Sequence, residues 1–245
     1  MKLPPGLLRP AWDLPARVRA LQTTREGGVG QPPFASFNLG DHVGDEVATV
    51  TANRARLRAL LPAEPLWLEQ VHGIAVVDAD HAEGRPMADA ALARGAGRVC
   101  AVLTADCLPV LLCDDEGGVV AAAHAGWRGL AAGVLEATIA RMDVPGPRLS
   151  AWIGPGIGPE AFEVGAEVRA AFIDDDPGAA TAFVPSPAGR WMADLAALAE
   201  RRLVRCGVSR IRVDGRSTHA DATRWYSFRR DGRTGRMASL IWLQD

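Results

Sequence analysis

Five histidines and four cysteines are the chain's whole stock of imidazole ligands and thiols. His72 lies in Trp67-Leu68-Glu69-Gln70-Val71-His72-Gly73, where Trp67 and Leu68 read as a strand and Gly73 as a turn. His124 ends an apolar strand just before Ala125-Gly126, and Cys107 follows Thr104-Ala105-Asp106 in the connection between two apolar strands. All three stand at strand ends beside small residues, where sites on α/β scaffolds are built. Two imidazoles and a thiolate make a zinc set that leaves the fourth position to water, the usual catalytic arrangement. No HExxH or CxxC spacing marks it. The same residues also allow a Cys107–His124 thiolate–imidazole pair, with Asp106 or another acid orienting the ring, as nucleophilic cysteine hydrolases require. A strand-end histidine is more often hydrogen-bonded scaffold than ligand, and a cysteine more often a buried thiol. The residues alone leave these readings open. His42, in LGDHVGDE, and His219, in STHAD, stand in polar loops and rank below them.

These residues need strands to hold them. Val99 to Leu103 and Pro109 to Cys113 are short, apolar and β-compatible, Asp114 to Gly118 is a turn signal, and Val119 to His124 continues as a third strand. AGWRGLAAG then leads into a helix on which Leu130, Val134, Leu135 and Ile139 recur at helical spacing. Trp152-Ile153 reads as a strand stopped by GPGIGP. Glu160 to Phe172 and Met192 to Cys206 read as amphipathic helices, the second with Asp194 as a start signal and Gly207 as a stop. Ile211 to Val213 and Ala238 to Leu243 complete the strands. Helices alternate with strands and hairpins, which predicts a mixed α/β (α+β) fold of sheets flanked by helices. No repeat or linker divides residues 1–245, so a single domain is expected.

A 48% hydrophobic, 23% charged composition suits a globular protein with a sizeable core. A net charge of −2 leaves no electrostatic footprint for nucleic acid or an anionic membrane surface. The N-terminal stretch is broken by Pro4, Pro5 and Pro10, and no apolar run approaches the ~20 residues of a membrane span. A cytoplasmic location is the default expectation. Cys100, Cys107, Cys113 and Cys206 do not look like a disulfide framework. The densest basic group, Arg224, Arg229, Arg230, Arg233 and Arg236, reads either as a solvated face or, beside its glycines, as an anion site.

Several blocks resemble the YfiH/YlmD family, also described as laccase-domain, polyphenol-oxidase-like or peptidoglycan-editing proteins. Phe37-Asn38-Leu39-Gly40-Asp41-His42-Val43-Gly44-Asp45 with Asn53-Arg54 is similar to its amino-terminal signature. Glu69 to Gly73, Ala105 to Val110 and His124-Ala125-Gly126-Trp127-Arg128-Gly129 match the next three blocks. Ile153 to Gly158 with Glu163-Val164, then Ser227 to Gly232 with Thr234-Gly235-Arg236, match the last two. Many members carry Cys-Thr where this chain has Ser217-Thr218, and His219 also departs from the usual residue.

The resemblance implies a compact domain of mixed sheets and helices, with zinc held by His72, Cys107 and His124. It implies a purine nucleoside phosphorylase acting on adenosine, inosine, guanosine and methylthioadenosine, with adenosine deaminase activity. Asp106, beside Cys107, is the expected proton carrier or a structural acceptor. Arg54, Arg229 and Arg230 are expected phosphate contacts, and Asn38 and Tyr226 ribose or base contacts. The expected partners are a purine nucleoside and phosphate, with no nucleic acid and no membrane, in a monomer or small homo-oligomer. Three rivals remain: a cysteine hydrolase or amidase acting on peptidoglycan precursors, a copper polyphenol oxidase, and a nucleoside-binding module without turnover. Five histidines without an HxH pair cannot easily furnish a multicopper cluster.

Overall fold

A computed structural model describes residues 3–245. The chain runs through β1 (Leu7–Leu8), β2 (Val18–Thr23), α1 (Val47–Arg58), β3 (Pro65–Leu66), β4 (Val76–Asp78) and β5 (Ala90–Ala93). It continues with β6 (Val99–Thr104), β7 (Leu108–Asp114), β8 (Val120–Ala125), α2 (Trp127–Ala132), α3 (Val134–Met142) and β9 (Leu149–Ile153). After β10 (Glu163–Val164), α4 (Ala166–Ile173), β11 (Phe183–Pro185) and β12 (Trp191–Ala193) come α5 (Leu195–Arg205), β13 (Arg210–Val213), α6 (Phe228–Asp231) and β14 (Met237–Leu243).

Three mixed sheets result. A six-stranded sheet has the order β13-β9-β7-β8-β5-β4, a five-stranded sheet β1-β2-β14-β6-β3, and a small sheet β10-β12-β11. Strand alternation assigns each side chain to a layer. On β6, Cys100 and Val102 pack with Leu111, Cys113, Val120 and Ala122 between the two large sheets. Val99, Ala101 and Leu103 point the other way, to a core with Leu57 of α1. On β7 and β8, Val110, Leu112, Ala121 and Ala123 face the helical side, where Leu135, Ile139, Leu198 and Leu203 pack. His124 alternates with Ala123 and Ala125 and therefore points toward the space between the sheets, at their end.

The expected mixed α/β class is the observed one. Two expected helices are shorter than their sequence pattern. Glu160 to Phe172 is helical only from Ala166, because Glu163 and Val164 pair with Met192 and Trp191 in the small sheet. That pairing and the pairing of β12 with β11, where Ala193 faces Phe183, keep Met192 and Ala193 out of α5, which starts at Leu195 with the Asp194 carboxylate accepting from the Ala197 amide at 2.9 Å. The apolar spacing from Leu130 to Ile139 spans two helices, broken at Gly133, whose φ of 102° only glycine adopts readily. The paired strand before His72 is Pro65–Leu66, while Trp67 and Leu68 are buried just beyond it.

Candidate metal centre and cleft

One buried carboxylate organises two of the three ligand candidates. Asp89, fully buried at the head of the alanine-rich β5, lies 2.8 Å from His124 Nδ1 through Oδ1. It also accepts the amides of His72 at 2.9 Å, Gly73 at 2.6 Å and Val71 at 3.2 Å. Those bonds hold His72 at a φ of 60°, a conformation uncommon for a residue with a side chain. An ionised carboxylate only accepts, so His124 Nδ1 carries the hydrogen and Nε2 is the ring atom left for a metal. Burial opposes the Asp89 charge, but the bonds from His124 and the loop amides hold its carboxyl below the usual range.

Cys107 follows Asp106, whose φ is 94°, in the tight turn between β6 and β7. Its sulfur lies 3.8 Å from His72 Nε2, and the His72 and His124 rings meet edge to face at 4.8 Å between centroids. One ligand atom from each of His72, Cys107 and His124 lies within 4.8 Å of the others. About 3.5 Å separates nitrogen from sulfur on a tetrahedral zinc, so the set fits such an ion after small adjustments. The room is made by glycine: a Cβ on Gly126 would sit 2.7 Å from His72 Cδ2 and 2.9 Å from Cys107 Sγ. One on Gly129 would meet the Gly73 carbonyl at 2.9 Å, so the AGWRG segment packs α2 directly onto the His72 turn.

The electrostatics favour a thiolate at Cys107. Burial would raise the Cys107 thiol, but the neighbouring imidazoles, His124 foremost, pull it well below its ordinary value. Burial would lower His124, but the Cys107 sulfur and Asp89 raise it. By contrast, burial raises the thiols of Cys100, Cys113 and Cys206.

The three residues line a cleft of about 530 Å³ together with Gln70, Thr104, Asp106, Trp127, Phe162, Phe228 and Arg229. Gln70 clamps the His72 loop to β6, accepting the Leu103 amide at 2.7 Å and donating to its carbonyl at 2.9 Å. A hollow of about 580 Å³ around Trp12, Asp114 and Arg210 shares no residue with the cleft and holds no histidine or cysteine.

The other expected site residues divide sharply. Asp106 faces the cleft, with Oδ1 accepting from Thr218 Oγ1 at 2.7 Å and Oδ2 from the Arg229 amide at 2.6 Å. Arg229 lines the cleft over Phe162, with Nη1 bound to the Ala161 and Glu163 carbonyls. Asn38 is fully buried and bonds Gly40, Asp45 and the Arg236 amide. Tyr226 is fully buried, its hydroxyl donating to the Phe34 carbonyl at 2.6 Å. Arg54 stacks on Trp67 and reaches Leu39 and Asp41, and Arg230 bonds the carbonyls of Thr218, His219 and Trp225. None of these four lines the cleft. Ser217 accepts from the Gly158 amide and donates to Glu160, and His42 reaches the cleft rim.

Sequence reasoning did not single out Asp89, Gln70, Thr104 or Arg128 as site residues, and it placed Arg236 only within the basic group that reads as a solvated face or an anion site. Asp89 did leave a signal, as the one acid heading the otherwise apolar run ADAALA. The acid that orients His124 is Asp89, not Asp106.

Fold and site together define a mixed α/β protein with a candidate mononuclear metal centre at the end of two stacked sheets. The chain belongs to the family described as multi-copper polyphenol oxidoreductase laccase, whose sequence profile matches residues 19–244. A Pseudomonas aeruginosa protein named purine nucleoside phosphorylase is 55% identical over 239 residues, 97% of this chain and 98% of that protein. Purine nucleoside phosphorylase YfiH of Escherichia coli is 49% identical over 243 residues, covering 97% and 98%. Among solved structures, Neisseria meningitidis protein NMB0706 superposes with a TM-score of 0.95 at 48% identity, covering 98% of this chain and all of that one. YlmD from Geobacillus stearothermophilus gives 0.92 at 31% identity, covering 100% and 98%. The resemblance to YfiH and YlmD read from the blocks is thereby confirmed, and its relatives' names support an enzyme of the purine nucleoside phosphorylase kind. No helix among the described residues is long and apolar enough to cross a membrane.

Proposed function

We propose that this chain is a single-domain, zinc-dependent purine nucleoside phosphorylase with adenosine deaminase activity, acting in the cytoplasm as a monomer or small homo-oligomer. The observation that carries the proposal is the convergence of His72, Cys107 and His124 in a cleft also lined by Trp127, Phe162 and Phe228, in a chain whose relatives bear that name. Those three side chains hold the zinc, which when bound supplies a Lewis acid and a water made acidic enough to react at neutral pH. Copper chemistry of the multicopper type finds no support in the ligand set. Among the described residues this is the one group of three or more candidate ligands.

The chain's own residues supply the rest. Trp127, Phe162 and Phe228 offer flat apolar faces suited to a purine ring. In phosphorolysis a phosphate oxygen bonds to ribose C1′ as the C1′–N9 bond breaks. The bond's electron pair goes to the purine, which takes up a proton, leaving free base and ribose 1-phosphate. In deamination water adds at the carbon bearing the amino group and ammonia leaves. Each Asp106 oxygen accepts one bond and keeps a second lone pair for the proton these steps move. Arg229 closes the Asp106 side of the cleft. The test is chromatography of inosine incubated with the metal-quantified protein and phosphate. Hypoxanthine with ribose 1-phosphate supports the reading, and unchanged inosine refutes it.

A second reading has a specific observation behind it. Cys107, His124 and Asp89 form a thiolate–imidazole–carboxylate series with a 2.8 Å link between its last two members. Such a series serves a cysteine amidase on peptidoglycan precursors, provided the thiolate is free of metal. Metal content separates the two.

A further inference from the structure

Three arginines, Arg128, Arg229 and Arg236, line the cleft, and among the described residues none of the three forms an ion pair with a carboxylate. Arg236 is the half-buried member of the group. Its Nη1 donates to the Thr234 and Gly235 carbonyls, each at 3.0 Å, while Nε and Nη2 make no protein hydrogen bond.

The amino-terminal block of the sequence is spent on placing this residue. The Arg236 amide donates to Asn38 Oδ1 at 2.9 Å, and its carbonyl accepts the Leu39 amide at 3.2 Å. Asn38 is itself pinned by Gly40 and Asp45. A Cβ on Gly40 would stand 2.8 Å from Arg236 Cγ, so glycine leaves the passage through which the arginine stem runs. Burial works against the guanidinium's charge, which makes an anion beside it more valuable than at the surface.

An independent observation lies across the strand pair. Thr104 ends β6 opposite Met237, the neighbour of Arg236, and is 2% exposed. It lines the same cleft, and its hydroxyl has no hydrogen-bond partner. A buried hydroxyl is normally paired, and one without a protein partner at a cleft wall suits a ligand oxygen.

The geometry points to Arg236 and Thr104 as the seat of the phosphate co-substrate, with the open edge of the guanidinium and the Thr104 hydroxyl binding its oxygens. The assignment rests on the phosphorolysis reading of the cleft. It replaces Arg54 and Arg230, whose guanidinium groups are engaged elsewhere. A planar fork suits a tetrahedral oxyanion better than a point charge does, so lysine is a poor substitute. Arg128, exposed at the mouth and stacked on Trp127, adds a third cationic group on the approach.

The experiment is the phosphate dependence of inosine cleavage by zinc-loaded wild type, Arg236→Met, Arg236→Lys and Thr104→Val. Arg236→Met is expected to raise the KM for phosphate about 30-fold or more, with the inosine KM within about 3-fold. Arg236→Lys recovers only part of that loss. Thr104→Val keeps the shape and removes an unpaired buried hydroxyl, so its melting temperature holds or rises while the phosphate KM grows about 3- to 10-fold. A merely structural role would move melting temperature and both KM values together. Phosphate KM values within about 2-fold of wild type in Arg236→Met and Thr104→Val overturn the assignment and leave the phosphorolysis reading standing. Should Arg236→Met not fold, Thr104→Val carries the test. Should wild type form no phosphate-dependent product, that reading falls, and calorimetric titration with inorganic phosphate then decides. Heat lost in the variants keeps the oxyanion seat, whereas no heat, or equal heats, removes it.

Discussion

Asp89→Asn is the sharpest probe of how the centre is built, because the change preserves shape and removes one acceptor and the charge. Asp89 Oδ1 takes bonds from His124 Nδ1 and the His72 amide, and Oδ2 from the Val71 and Gly73 amides. An asparagine must turn its NH2 toward one of these pairs, setting donor against donor, so two of four bonds are lost. At about 1.5–3 kcal/mol for a bond to a charged group, the loss is about 3–6 kcal/mol, part of which relaxation recovers. The two affected segments carry His124 and His72, so zinc affinity is expected to fall about 10- to 100-fold, as when other carboxylates behind metal-bound histidines are removed. Competition against a chromophoric chelator measures the affinity, and melting with and without chelator measures the stability. An Asp89→Asn protein with wild-type zinc affinity and wild-type melting temperature would refute the role given to this carboxylate. Asp89→Ala is expected to lose more, since it leaves four donors unpaired.

Other expectations follow from the same contacts. Cys107→Ala is expected to abolish phosphorolysis and bound zinc while the fold stays intact, which metal analysis and circular dichroism check. Asp106→Asn, at a φ of 94° that asparagine tolerates, is expected to keep zinc but lower kcat by about 10²–10⁴-fold, read in initial rates. Gly126→Ala puts a Cβ 2.7 Å from His72 and 2.9 Å from Cys107, so zinc binding is expected to weaken far more than the melting temperature. In metal-stripped protein Cys107 is expected to be the one thiol alkylated rapidly at pH 7. Its value is lowered, so the thiolate is already present there and is lost as pH falls below its folded value, whereas burial raises the other three. Zinc is expected to protect it, and peptide mapping by mass spectrometry reads the label.

How much of this was legible in the sequence depended on whether the signal was local. The apolar runs of β6, β7 and β8 announced themselves, and with them the turn that carries Cys107 and the strand end that carries His124. The His72 block was visible as a strand followed by a glycine turn, although the paired strand lies two residues earlier. Helix boundaries failed where a long-range partner competed. Glu163 and Val164 fit a helical pattern but pair with Trp191 and Met192, a contact between segments almost 30 residues apart that no local spacing reports. Four of the expected binding residues lie off the cleft lining for a related reason. Asn38, Arg54, Tyr226 and Arg230 stand in distinctive blocks, yet the first and third are fully buried and the two arginines serve loop carbonyls, Asp41 and Asp231. Distinctive residues can build a site without touching what enters it. Asp89 and Thr104 were missed because a buried acid and a buried hydroxyl gain their meaning only from partners far along the chain.

The central claim is tested most directly by incubating adenosine with purified, metal-quantified protein, with and without phosphate, and separating the products. About one zinc per chain, with adenine and ribose 1-phosphate formed only when phosphate is present and inosine formed in either case, is the predicted result. Protein free of metal that leaves adenosine unchanged under both conditions would contradict the account, and would hand Cys107, His124 and Asp89 to the cysteine amidase reading.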